Sequence, residues 1–97
     1  MDTIKLYDIN DKFNVFLPMN QTESDVFVFV CKSKHFKERK SARVLLTEEV
    51  NRCLLKPERG FSYSEADWRY IKDSIAEHRD IIVDEWEKTN GTATFIT

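Results

Sequence analysis

The feature that most constrains the fold is the stretch of residues 62–90, which contains neither proline nor glycine. At 100° per residue its large apolar side chains fall on one narrow stripe: Trp68, Ile71, Ile75, Ile82 and Trp86. Such a stripe is typical of a helix that packs against a core. At 1.5 Å per residue the helix would be about 40 Å long. The sequence therefore predicts one long helix over residues 62–90.

Both ends of this predicted helix carry recognised signals. Ser62 and Glu65 have the spacing of a capping box, in which each side chain satisfies a backbone donor of the other residue. Asn90 and Gly91 favour the left-handed conformation that closes a helix. We expect the helix to begin at Ser62 and to end at Asn90.

The chain before this helix reads as short strands. Apolar and β-branched residues alternate or cluster in residues 3–9, 12–17, 25–31 and 42–47, and Asn10 and Asp11 form a turn signal between the first two. The third strand is apolar on both faces, so we expect it to be central. Residues 48–60 fit either one helical turn or an irregular segment. Residues 92–97 fit either a short terminal strand on a sheet edge or a frayed end.

These elements predict an α+β fold in a single domain of residues 1–97. A small antiparallel sheet of about four strands would have one polar face and one face covered by the helix. No run approaches the ~20 apolar residues that span a bilayer, and the N-terminus does not resemble a signal peptide, so we expect a cytoplasmic protein. Cys31 and Cys53 read as small buried hydrophobes, and we predict neither a metal nor a cofactor.

Charge is distributed unevenly although the formal net charge is only −2. Residues 32–43, here called the basic segment, contain six Lys or Arg residues opposed only by Glu38. The back of the predicted helix carries a row of acids, here called the acidic ridge: Asp73, Glu77, Asp80, Asp84 and Glu87. Tyr70 and Ile81 lie near this ridge as isolated apolar residues. They are either covered by other parts of the chain or form a docking site for a partner.

Two histidines are the first residues to consider for catalysis. His78 lies at the margin of the apolar stripe, where a partly buried residue bonded to the sheet or a loop is the simplest interpretation. His35 lies among cations that would keep it neutral, as a ribonuclease base would need to be. The alternative is a solvated charged hairpin. The basic segment could bind phosphate, with His35 and Phe36 stacking on bases, or could be balanced by the acidic ridge.

With the elements placed, residues 25–90 resemble a family of small prokaryotic proteins, domain-of-unknown-function family 4160. The shared features are the strand at residues 42–46, the helix start at Gly60, Phe61 and Ser62, and three later positions: Glu65, Arg79 and Trp86. The family's His-Val-His-Val strand is Phe27, Val28, Phe29 and Val30 here, and the Asn of its Asn-Arg pair is His78. The resemblance implies a component of a toxin–antitoxin-like or mobile-element gene pair, and hence a partner protein.

The sequence favours a non-enzymatic domain that binds another protein or itself, as a homodimer. The candidate partner-binding residues are Tyr70, Asp73, Glu77, Asp80, Ile81 and Asp84. The alternative is an RNA-binding or RNA-cleaving protein, whose candidate residues are Lys34, His35, Lys37, Arg39 and Lys40. We expect no membrane partner.

Overall fold

The computed structural model describes residues 2–22, 24–49, 53–57 and 61–96, with only the backbone of 53–57 described. The fold is α+β, as predicted. Five strands precede two helices, and a short 3-10 helix, Glu38–Lys40, lies between the third and fourth strands. The strands are β1 (Thr3–Ile9), β2 (Phe13–Pro18), β3 (Phe27–Cys31), β4 (Ser41–Leu46) and β5 (Cys53–Pro57), and the helices are α1 (Glu65–Glu77) and α2 (Arg79–Thr89).

The strands form one antiparallel sheet in the order β1-β2-β3-β4-β5, with each strand beside its sequence neighbour. The predicted central position of β3 is confirmed. The predicted turn between β1 and β2 is also confirmed, since Asn10 and Asp11 have φ values of 49° and 56°. Asn and Asp tolerate this left-handed conformation better than most residues. The Lys12 amide closes the turn by donating to the Ile9 carbonyl at 2.9 Å.

The core lies between the sheet and the helices. Val15 is opposite Val30, and Val28 is opposite Val44, so these buried valines share one sheet face. The helices cover this face through four side chains that are at most 2% exposed: Ile71, Ile75, Ile82 and Trp86. The predicted apolar stripe is therefore confirmed for these four residues.

The second face of the sheet is not polar, so that expectation was wrong. Phe16 is opposite Phe29, and both are buried. Phe36 folds back from the basic segment and packs on both rings, with centroid distances of 5.7 Å to Phe16 and 4.8 Å to Phe29. Arg43 lies over Phe29 at 5.5 Å. A loop and one cation thus shield the face that the sequence pattern assigned to solvent.

The single long helix was also only partly correct, because His78 separates α1 from α2. Its φ and ψ are −99° and 14°, outside the helical range. Helical hydrogen bonds still bridge the break, from the His78 amide to the Ser74 carbonyl at 2.9 Å and from the Ile82 amide to the His78 carbonyl at 3.0 Å. The apolar stripe therefore continues from α1 into α2.

The first helix begins at Ser64 rather than Ser62. The Ser64 hydroxyl accepts from the Asp67 amide at 3.1 Å, and the Asp67 carboxylate accepts from the Ser64 amide at 3.2 Å. This reciprocal pair is the capping box that the sequence assigned to Ser62 and Glu65. The predicted end is confirmed, with Asn90 as the last cap and Gly91 at φ 102°.

Two segments left open by the sequence now have a structure. Part of residues 48–60 forms β5, which is neither a helical turn nor irregular, while residues 50–52 and 58–60 lie outside the described part of the chain. The terminal residues form an isolated parallel bridge, Thr47 to Ile96, instead of a strand. The Val26 amide donates to the Thr94 carbonyl at 2.8 Å. Residues 94 and 96 thus bond to their own chain at the ends of β3 and β4.

Candidate functional site

The acidic ridge lies on the outward side of the two helices, and all five of its residues are exposed. Asp84 accepts from Lys88 at 3.0 Å, and this hydrogen bond is the main reason that the pKa of Lys88 is raised. Asp73, Glu77 and Asp80 have no ion pair with any described residue. The ridge therefore presents three carboxylates in a row that have no ion pair with a described residue, at spacings of four and three residues.

Tyr70 and Ile81 are the two most exposed large apolar residues among those described, at 56% and 54%. The interpretation that other parts of the chain cover them was wrong. The buried stripe on the opposite side of the same helices already provides the contacts to the core. Their exposure is not required by the fold.

A cleft of about 260 Å³ opens between α1 and the β1–β2 turn. We call it the Tyr70 cleft. Asp8 and Asn10 line it from the hairpin, and the helical side contributes Tyr70, Asp73, Glu77 and His78. Two smaller hollows, of about 170 and 180 Å³, also have Tyr70 in their walls. Tyr70 is therefore the side chain common to three adjoining depressions.

Sequence reasoning identified Tyr70, Asp73 and Glu77 but missed the hairpin side of the cleft. The spacing of Tyr70, Asp73 and Glu77 places them on one face of a helix. Nothing in the local pattern of Asp8 or Asn10 indicates that the hairpin turn lies beside that face. Asp80, Ile81 and Asp84 are exposed on α2 and do not line the cleft, so the structure divides the predicted partner-binding set into two neighbouring parts.

His78 is fixed at the edge of this cleft by two contacts. Its ring stacks on Tyr7 of β1 with a centroid distance of 4.0 Å and an interplanar angle of 14°. Its Nδ1 lies 2.8 Å from the Ser74 carbonyl oxygen, which also accepts from the Tyr7 hydroxyl at 3.4 Å. A carbonyl cannot donate, so Nδ1 carries the hydrogen of this bond. These contacts account for His78 as a half-buried residue held between helix and sheet.

The basic segment follows β3 and is attached to the sheet at both ends. The Asn14 side chain donates to the Ser33 carbonyl at 2.9 Å, and the Ser41 hydroxyl donates to the Glu38 carbonyl at 2.8 Å. The five predicted nucleic-acid-binding residues between these anchors are exposed: Lys34, His35, Lys37, Arg39 and Lys40. None of them forms an ion pair with the acidic ridge in the described part of the chain.

Two members of the basic segment, Phe36 and Arg43, contact phenylalanine rings of the sheet. Phe36 packs in the aromatic layer described above and is half-buried, while the His35–Phe36 stacking pair for bases stays a prediction. Arg43 lies over Phe27 at 5.2 Å and reaches Glu38 at 3.9 Å. The remaining cations of the segment are exposed.

Among the residues that the structure describes, the His, Cys, Asp and Glu side chains form no group of three that could hold a metal ion. Cys31 is a buried free thiol, as predicted. Of Cys53 only the backbone is described. Within the same residues, neither helix has the length and apolar character needed to cross a bilayer.

Comparison with models of protein families, with curated proteins and with solved structures gives no match. The resemblance to domain-of-unknown-function family 4160 therefore stays a prediction. Of the positions that carry it, Gly60 lies outside the described residues, Arg79 lies over the Phe95 ring at 4.5 Å, and Trp86 is fully buried. These contacts give Arg79 and Trp86 packing roles.

Proposed function

We propose that this protein is a non-enzymatic interaction domain that binds a partner protein through the outward side of α1 and α2. The observation that carries the proposal is the exposure of Tyr70 and Ile81, each more than half accessible, on a helix pair whose opposite side buries Ile71, Ile75, Ile82 and Trp86. Tyrosine is enriched at the centres of protein interfaces, and the ridge carboxylates beside it would select the partner by charge.

The surface has the composition of an interface with two apolar contacts. Tyr70 lies on α1 and Ile81 lies on α2, three helical turns later. At 1.5 Å per residue the two side chains are about 16 Å apart along the helices. Asp73, Glu77 and Asp80 lie between them in the sequence and are exposed. A partner that covered both apolar residues would have to neutralise these carboxylates, and a surface rich in Lys or Arg would do so. We further propose that this partner is the second protein of a toxin–antitoxin-like or mobile-element gene pair, as the family resemblance implies.

The test is a double substitution, Tyr70→Ser with Ile81→Ser, in affinity-tagged protein expressed in its native host. We expect the double variant to keep its circular dichroism spectrum and thermal midpoint and to lose the partner that the unmodified protein captures. The matched control is Tyr63→Ser, because Tyr63 is also an exposed tyrosine, at 40%, and does not border the ridge. Capture of the same partner by the double variant would show that this surface is not the interface.

The second candidate is RNA binding by the basic segment. The observation that favours it is that Lys34, Lys37, Arg39 and Lys40 are exposed and have no ion pair with a described acid. Cations left free in this way are available to phosphate groups. Against it, part of the Phe36 ring is covered by its contacts with Phe16 and Phe29.

Reversing the charge of Lys37, Arg39 and Lys40 should abolish binding to single-stranded RNA, and binding by the unmodified protein should weaken steeply as salt increases. Fluorescence anisotropy at 50 and 200 mM salt measures both effects. A protein that purifies free of nucleic acid and shows no affinity for RNA at 50 mM salt would exclude this candidate.

A further inference from the structure

The Tyr70 cleft has a lining that selects for one kind of chemical group. Three carboxylates line it, from Asp8, Asp73 and Glu77, while no lysine or arginine is among the described lining residues. Asp8 is bonded to Lys5 at 2.7 Å, but Asp73 and Glu77 have no ion pair among the described residues. A group that enters this cleft therefore meets at least two uncompensated negative charges four residues apart on one helix face.

The remaining groups of the cleft favour the same kind of ligand. The hydrogen on His78 Nδ1 is directed to the Ser74 carbonyl oxygen, so this nitrogen offers no donor to the cleft. The exposed Tyr70 ring offers a π face, which attracts cations. Carboxylates and an aromatic face are complementary to a donor-rich cation.

The size of the cleft restricts the ligand further. Pockets for drug-sized molecules usually measure about 300–1,000 Å³, and this cleft is smaller, at about 260 Å³. It also opens onto the helix surface that carries the proposed interface, since Tyr70 and Asp73 belong to both. A single long side chain projecting from a docked protein fits these limits.

From these observations we propose that the Tyr70 cleft binds a lysine or arginine side chain of the partner protein, a proposal that rests on the proposed function. The cationic group lies against the Tyr70 ring and donates hydrogen bonds to the carboxylates of Asp73 and Glu77. The hairpin turn at Asn10 forms the opposite wall. Charge complementarity, not the apolar area, selects the occupant.

The test is a titration of uniformly ¹⁵N-labelled protein with N-acetyl-lysinamide, N-acetyl-argininamide and the uncharged N-acetyl-norleucinamide. We expect saturable shifts of the Asn10, Asp73 and His78 amide signals with the two cationic compounds and none with the norleucine compound. Tyr70→Leu removes the π face and should weaken binding about two- to five-fold. Norleucine binding as strong as lysine binding would overturn the proposal.

Asp73→Asn and Asp80→Asn form a matched pair, because both aspartates are exposed on the acidic ridge and only Asp73 lines the cleft. Asp73→Asn should weaken binding about two- to five-fold, while Asp80→Asn should leave it unchanged. Equal loss in both variants would indicate attraction to the ridge as a whole and would contradict a specific cleft.

A separate titration with 1,4-diaminobutane distinguishes a free diamine from a protein side chain. Binding of the diamine without binding of the capped amino acids would overturn the proposal in favour of a small-molecule ligand. If Tyr70→Ser with Ile81→Ser abolishes partner capture while no lysine or arginine compound binds, the interface stands and the cleft proposal fails.

Discussion

The inward and outward sides of the two helices differ in how much of them the fold explains. On the inward side Ile71, Ile75, Ile82 and Trp86 are at most 2% exposed, and Trp86 packs on Phe27 with a centroid distance of 5.7 Å. On the outward side Tyr70 and Ile81 are more than half exposed. Both sides belong to the same helices, so helix propensity does not account for the difference.

The inward residues contribute to packing, whereas the outward residues remain accessible to a partner. Burial of a side chain as large as isoleucine stabilises a fold by about 1.5–3 kcal/mol, which fully accounts for the inward stripe. The same side chain left in water contributes little to folding. The outward apolar residues, set among carboxylates that have no ion pair with a described residue, are therefore the ones that the proposed interface would use.

Ile81 and Ile82 are adjacent in α2 but lie on its outward and inward sides. Substituting the buried one should give the largest loss of stability. Ile82→Ala removes a fully buried side chain and should lower the free energy of unfolding by about 2–5 kcal/mol. Ile81→Ala makes the same chemical change on the outward side and should alter it by no more than about 0.5 kcal/mol. Urea unfolding followed by tryptophan fluorescence measures both. Similar losses in the two variants would show that the outward side also contributes to folding.

A smaller effect is expected at the start of α1. Ser64→Ala removes the hydroxyl that accepts from the Asp67 amide and should cost about 1 kcal/mol. Ser62→Ala is the control, since Ser62 is exposed and, among the described residues, its hydroxyl accepts only from Lys32, at 3.4 Å. The same urea unfolding experiment compares the two. A larger loss for Ser62→Ala would restore the helix start that the sequence alone suggested.

The helix start illustrates what the sequence could not decide. Ser62 with Glu65 and Ser64 with Asp67 both have capping-box spacing, and the local pattern does not distinguish them. The choice depends on tertiary contacts. Lys12, in the β1–β2 turn, donates to the Asp67 carboxylate at 2.6 Å. This contact with a distant part of the chain favours the pair of Ser64 with Asp67. Periodicity predicted the inward stripe correctly because it depends on one helix alone.

The break at His78 and the Tyr70 cleft were missed for the same reason. His78 leaves the helical conformation where its ring stacks on Tyr7 and bonds to Ser74, and Tyr7 lies about seventy residues earlier in the chain. The cleft needs Asp8 and Asn10 to lie beside α1. The exposed residues of the site could be predicted from sequence, whereas its concave shape could not, because two distant segments build it.

Asp67 carries a buried carboxylate, unlike the exposed ones of the ridge. Asp67 is only 6% exposed, and the pKa of its carboxyl is lowered, first by the hydrogen bond from Lys12 and then by the Ser64 amide. A lowered pKa in the folded state means that this carboxylate stabilises the fold above its ordinary pKa of 3.8. That stabilisation is lost as the pH falls through the lower folded value.

Asp67→Asn should therefore be less stable than the unmodified protein at pH 7, and the difference should shrink as the pH falls below 3.8. Asp80→Asn, on the outward ridge, should show no comparable convergence, because no described cation bonds to Asp80. Urea midpoints measured from pH 7 to pH 2 compare the three proteins. A constant difference between Asp67→Asn and the unmodified protein would mean that Asp67 acts through packing. The Asp67 side chain would then stabilise the fold through its contacts, as the inward side chains do, and not through its charge.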